Sequence, residues 1–235
     1  MPIAPASAGR LGSHARSVSD RWTTAKTLRT VDPSVSRSPR RIAAASGVAS
    51  IALALGGIGI AVLAAPWFSW TGNALSDLGV AGDPLVAAAF NGGLLAGGVV
   101  ALPYAWAVWT TAGDRAGRAL AVLFGIVSLL MAGVGAFPSD SALHVPVAIG
   151  FFLGLTALLA VDGLRRRDTA VGRTLLVAPV VHLGAWWGWI AVLDLGDGIA
   201  IPELVGALLL AAWVLALSPV APLSASPPSA DRRSR

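Results

Sequence analysis

Six apolar stretches, each close to the roughly 20 residues that carry a helix across about 30 Å of hydrocarbon, constrain this chain more than any other feature. They run over residues 42–67, 84–110, 119–137, 144–164, 174–193 and 201–217, and none contains a Lys or Arg. In lipid every backbone N–H and C=O must find a partner within the protein, which leaves helices as the natural form for such segments. The expected fold is therefore all-α: a polytopic membrane bundle of six transmembrane helices in one domain over residues 41–219. Composition agrees, with 55% apolar and only 12% charged residues, about half the charge that a water-exposed surface usually carries.

The flanking segments read differently. Residues 1–40 are rich in Ser, Pro, Thr and Arg without a sustained apolar period, so they bury too little surface to offset chain entropy and are expected to be a disordered basic tail. Residues 220–235 receive the same reading. Arg40 and Arg41, ahead of an apolar run ending AVLAAP, have the outline of an export signal, but a run of some 25 residues exceeds a signal core and is read as the first span.

All 17 Lys and Arg lie in the tails and in the loops DRAGR and RRRDTAVGR, whereas the other three connections hold none. By the positive-inside rule both termini are expected in the cytoplasm, in a multi-pass plasma-membrane protein whose first partner is the lipid bilayer. The net charge of +5 thus reports topology, and no nucleic-acid partner is implied. Without a single cysteine, disulfides, thiolate metal sites and cysteine nucleophiles are excluded.

Local punctuation supports the threading. Pro84, Pro146 and Pro202 each fall in a first helical turn, where a missing N–H costs nothing, while Pro103 and Pro179 fall inside spans and are expected to kink them. Trp67 and Trp70 end the first span as interfacial anchors, and Tyr104, Trp106 and Trp109 are expected to do the same for the second. Gly93/Gly97, Gly150/Gly154 and Gly184/Gly188 have the spacing that lets helices approach closely, but 27 glycines make such pairs too common to name an interface.

Ionisable groups near a membrane are functional candidates by default. Asp77, Asp83, Asp140, His144, Asp194, Asp197 and Glu203 gather at the end without Lys or Arg, together with Asn73, Ser76 and the intramembrane Asn91. Each has a structural alternative. Asp83 before Pro84 has the position of an N-cap, and Asp140, with Ser139 and Ser141, is expected to cap the fourth span. Glu203 in a first turn faces the positive helix end. Asp194 and Asp197 read as solvated loop residues, and Asp162 as an ion pair with Arg165 and Arg166. The run from Asn73 to Gly79, NALSDLG, reads as one helical turn closed by glycine, with Asn73, Ser76 and Asp77 along one side. Such a turn is costly near hydrocarbon unless it lines a cavity. Asp77 and His144 lack an evident capping role and are expected to face each other across an outward-opening pocket. His182, mid-span with Trp186 and Trp189 at helical spacing, and Asn91 read either as interhelical hydrogen-bonding groups or as the floor of that pocket.

NALSDLG, FNGGLLAGG, LFGIVSLLMAGVGAFPSD leading into His144, and IPE before the last span together resemble the six-helix membrane family defined as domain of unknown function 998, over about residues 42–217. Ser76, Asp77, Asp140, His144 and Glu203 match that family's pattern, and the Ser-Asp turn and the histidine are remotely similar to the DRAM-like membrane family. The resemblance implies the topology and the polar cluster but no reaction.

The leading functional expectation is an acidic, histidine-containing pocket that binds a small polar ligand, an ion or a lipid head group, with Asn73, Ser76, Asp77, Asn91, Asp140, His144, His182 and Glu203 as candidate binding residues. One alternative is a membrane-embedded lipid hydrolase, in which Asp77, His144 and Glu203 hold a divalent metal that activates water. Another is a small-solute transporter, with Asn91 and His182 extending the polar cluster toward the midplane.

Overall fold

The structure, a computed structural model, describes residues 33–224. The tail expected over 1–40 lies outside the described residues up to 32, and that over 220–235 lies outside them from 225. The described residues form seven α-helices: α1 (Pro33–Ala64), α2 (Pro84–Val100), α3 (Leu102–Thr111), α4 (Arg115–Ala136), α5 (His144–Arg165), α6 (Ala170–Ala191) and α7 (Ala200–Ala212). A 3₁₀ turn, Leu75–Val80, precedes α2, and a π turn, Trp213–Leu217, continues α7. The first helix thus begins at Pro33, inside the stretch expected to be tail.

Six helices or helix pairs are long and apolar enough to cross a membrane: Ala44–Ala64, Pro84–Thr111, Arg115–Ala136, His144–Arg165, Ala170–Ala191 and Ala200–Leu217. The match to the sequence spans follows from the continuity of apolar residues. α2 and α3 form one traverse interrupted at Ala101, because Pro103 in the first turn of α3 has no N–H to continue the ladder. Pro179, in contrast, sits inside an unbroken α6. Asp83 caps α2, its Oδ1 accepting from Leu85 N at 2.8 Å.

The surface is apolar and the interior selectively polar, as lipid requires. Val180, Trp187, Ile190, Leu153 and Leu63 are exposed, while Ser50, Ser128, His144, Asp162, His182 and Glu203 are buried. Lipid supplies no hydrophobic drive between helices, so their association rests on close packing and interhelical hydrogen bonds. At the α1–α2 crossing a Cβ on Gly57 would lie 2.4 Å from Ala89 O, and one on Gly93 would lie 2.7 Å from Leu53 O. Only glycine permits that approach.

Neighbouring helices in the chain pack on one another, and α3 packs on α1 and α4. The ring closes differently at its two ends. At the end carrying the Arg-rich loops, the π turn after α7 meets α1 directly; at the opposite, acidic end, the 3₁₀ turn inserts and contacts both α2 and α7. Tyr104, expected as an interfacial anchor, belongs to the core of the basic end: it is fully buried, and its hydroxyl donates to Val214 O at 2.6 Å. Its spacing with Trp106 and Trp109 in sequence conceals that it points inward and they point outward. Trp106 and Trp109 do remain exposed.

Candidate functional site

The turn carrying NALSDLG is held from several sides. Asp77 Oδ2 accepts from Asn73 Nδ2 at 3.1 Å and from Ala74 N at 3.0 Å. The next peptide N–H, that of Leu75, donates to Glu203 Oε2 at 2.6 Å. Two carboxylates, one from the turn and one from α7, therefore bind successive donors at the positive end of the turn, as helix starts favour. Asn91 on α2 donates from Nδ2 to Gly79 O at 2.8 Å. A Cβ on Gly79 would fall 2.5 Å from Asn91 Oδ1, so this glycine serves close contact. It lies within the turn rather than closing it, and its backbone is not left-handed; among the described residues the only glycine with positive φ is Gly196.

Asn73 has a second structural duty. Its Oδ1 accepts from Ser69 N at 2.9 Å, and its backbone oxygen accepts from Ile199 N at 3.1 Å and Ala200 N at 3.0 Å. These bonds clasp the α1–α2 connection to the start of α7, with Gly198 so close that a Cβ there would sit 2.3 Å from Asn73 N. The clasp places Glu203, one turn into α7, beside the 3₁₀ turn.

His144 opens α5. Two backbone turns lead into it, Ser141 N to Pro138 O at 2.8 Å and His144 N to Ser141 O at 3.0 Å. They bring Leu143, whose side chain has no acceptor, to the cap position of α5. Asp140 is accordingly exposed and is not the cap expected from its position; Ser141 Oγ instead accepts from Leu143 N at 3.3 Å. His144 Nδ1 lies 2.7 Å from Phe137 O. A carbonyl oxygen only accepts, so Nδ1 carries a proton, and in the neutral tautomer with that arrangement Nε2 presents a lone pair.

That lone pair belongs to a residue lining two adjoining cavities. The outer one, about 290 Å³, is bounded by Ser76, Ser139, His144, Glu203, Trp186 and Ile199 with a wall of α5 residues, Val145, Ala148, Ile149 and Phe152. The inner one, about 50 Å³, shares His144, Ala148, Phe152 and Glu203 and is otherwise apolar, with Ile58, Leu94, Met131 and Phe151 among its walls. At roughly 30 Å³ per water molecule, the inner space holds no more than a very small group. The outer one approaches the lower limit of ordinary small-molecule sites, about 300 Å³.

The sequence-derived candidates thus divide. Ser76, His144 and Glu203 meet on the outer cavity. Asp77, expected to face His144 there, is turned to its own helical start and lines neither cavity; Asn73 spends its side chain on the turn, Asn91 commits only Nδ2 to it and keeps a buried Oδ1 without a partner, and both line neither cavity. Among the described residues no three His, Asp or Glu side chains are grouped as metal ligands, so Asp77, His144 and Glu203 do not assemble as the expected set. Asp194, with a φ of 43°, and Asp197 are exposed in the loop before α7.

His182 is sealed below the site. Trp186 Nε1 donates to His182 Nε2 at 3.2 Å, which puts the ring proton on Nδ1, 2.9 Å from Thr156 Oγ; Thr156 in turn donates to Phe152 O at 2.8 Å. Both nitrogens are occupied, the residue is buried, and it lines neither cavity. Trp186 links the two levels, since its ring also bounds the outer cavity. Trp189 reaches away to Gly198 O at 2.5 Å. Ser139 and Trp186, read from sequence as cap and packing residues, thus line the outer cavity as well; only the convergence of α5, α6 and α7 reveals this.

A family model described as "Protein of unknown function (DUF998)" matches residues 48–219. No curated protein matches the chain, and no solved structure matches it.

Proposed function

We propose that this chain, which belongs to the DUF998 family, is a multi-pass membrane protein that binds a small polar ligand, an ion or a lipid head group in the cavity between His144 and Glu203. The observation that carries the reading is the free acceptor pair: His144 Nε2, left open once Nδ1 is committed to Phe137, and Glu203, whose Oε2 alone is committed to Leu75 N, line the same space from different helices. Buried polar groups normally find partners within the protein, so unspent acceptors around a cavity favour a ligand that donates.

The other readings have less support. A hydrolase of the zinc type would draw on three protein ligands, and Asp77 is turned away to the 3₁₀ turn. A transport path would continue polar groups inward, whereas the inner cavity is walled by Ile58, Leu94, Met131 and Phe151, and His182 is fully occupied.

The segregation of Lys and Arg supports a plasma-membrane orientation with the site facing outward and both ends of the chain in the cytoplasm. With no native cysteine, Asp140→Cys should react with an impermeant maleimide on intact cells and Asp168→Cys should not; the reverse pattern would turn the site inward. For binding, thermal shifts of the purified protein with ethanolamine, glycerol and divalent cations provide the test. Any stabilisation should vanish in His144→Ala and Glu203→Gln; stabilisation untouched by both would place the ligand elsewhere.

A further inference from the structure

We propose that the ligand of this site is a single-chain amphiphile with a hydrogen-bond-donating head, a hydroxyl or an ammonium, that enters sideways from the bilayer between α5 and the α6–α7 pair. The inference rests on the His144–Glu203 reading above and adds the ligand's class and route. The route comes from the α5 wall. Val145 and Ile149 bound the outer cavity, yet they are 60% and 55% exposed and lie in the first turns of a membrane-spanning helix. What they are exposed to in a bilayer is acyl chain and head-group boundary. The cavity therefore opens laterally as well as toward the loops, with its polar groups on the protein side and its apolar groups on the lipid side.

The small inner chamber decides where the chain must lie. About 50 Å³ cannot take a long alkyl chain, so the chain extends outward along Val145, Ile149 and Phe152 while the head meets Ser76, Ser139, His144 and Glu203. Chemistry of the head follows from its partners. His144 Nε2 and the Glu203 carboxylate are acceptors, the two serines can serve as either donor or acceptor, and every Lys and Arg of the spans' flanks lies at the opposite end of the bundle. A phosphate or carboxylate head would be buried beside Glu203 with no Lys or Arg to compensate its charge, an arrangement that disfavours binding. A hydroxyl or ammonium head donates to both acceptors and buries no uncompensated negative charge.

The test uses the full-length protein in phosphatidylcholine nanodiscs with three photoreactive probes of equal chain length: a monoacylglycerol, a long-chain primary amine and a lysophosphatidic acid. The hydroxyl probe, the amine probe or both should label residues 145–152, and the relative labelling of the two identifies the head. Lysophosphatidic acid should label that segment no more than it labels the exposed face of α6. Glu203→Gln and Ala148→Phe should each reduce the specific label about tenfold, the loss expected for one hydrogen bond or for a filled cavity. Unlabelled monoacylglycerol or amine should compete in the unaltered chain, which decides the matter if Ala148→Phe does not fold. Equal labelling by lysophosphatidic acid, or labelling that no competitor and neither variant reduces, overturns the proposal. Stabilisation by soluble ethanolamine or glycerol that His144→Ala abolishes, without lateral labelling, would retain the pocket and discard the amphiphile; absence of both would discard the two together.

Discussion

The two ends of the bundle handle buried acidic side chains in opposite ways. At the basic end, the fully buried Asp162 is bound by Arg166, through Nε at 2.8 Å and through Nη2, and by Trp213 Nε1 at 2.9 Å; Arg165 Nε stands 3.8 Å away. Arg166 also donates to Leu217 O at 2.5 Å, and Tyr104 hydrogen-bonds Ser218. The carboxylate is encircled, and the network ties α5 to the π turn that closes the ring against α1. At the acidic end, Glu203 and Asp77 hold neutral backbone N–H groups, no cation is near in sequence, and acceptor capacity faces a cavity. A charge surrounded by donors stabilises the fold; a carboxyl group held by one backbone donor beside a cavity keeps an oxygen unspent.

The largest effect should come from breaking the encircled charge. Asp162→Ala leaves the largely buried Arg166 without its partner, a loss of about 3 to 5 kcal/mol by analogy with other buried pairs, visible as a strongly lowered melting temperature in detergent. A change below about 1 kcal/mol would mean that the basic end is solvated and the contrast false.

An intermediate effect is expected at Glu203. Glu203→Gln keeps an oxygen for Leu75 N and replaces the other carboxyl oxygen by an amide that cannot accept, so stability should fall by no more than about 1 to 2 kcal/mol, while binding should be lost. A collapse as severe as that of Asp162→Ala would recast Glu203 as purely structural and make the two ends alike.

The smallest effect belongs to Asp83, acidic and near the site but engaged only in capping α2. Asp83→Ala should cost about 1 kcal/mol and leave binding unchanged. If it weakened binding, the site would extend beyond the His144–Glu203 cavity.

Much of this architecture was legible because it is written in contiguous residues. The spans follow from apolar continuity, the Asp83 cap from its place before Pro84, and the Asp162–Arg166 pair from a spacing of one helical turn. NALSDLG announced a helical turn. What sequence does not encode locally is which partner a side chain meets across the bundle. Glu203 and Leu75 are 128 positions apart and Tyr104 and Val214 are 110 apart. Helical spacing assigns a residue to a face without saying whether lipid or another helix covers it, and for that reason the anchor role expected of Tyr104 gives way to a place in the core. Asp77 drew attention as an acidic residue in a polar turn, but a carboxylate three residues after a free N–H can satisfy it locally. Sequence leaves His182 either as an interhelical hydrogen-bonding group or as the pocket floor, and only the fold shows both its nitrogens bonded, to Thr156 and Trp186, while His144 lines the cavity.

That pair of histidines offers the most direct measurement. The chain contains three histidines in all, so ¹⁵N spectra of histidine-labelled protein in bilayers can be assigned with His144→Ala and His182→Ala. At neutral pH both rings should be the Nδ1–H tautomer, with His182 Nε2 hydrogen-bonded to Trp186 and His144 Nε2 free of any protein donor. Adding the monoacylglycerol or amine that labels the lateral cavity should move the His144 Nε2 resonance and leave that of His182 nearly unchanged. A His144 ring protonated on Nε2 alone, or a His144 resonance indifferent to a ligand that binds, would contradict the account at its centre.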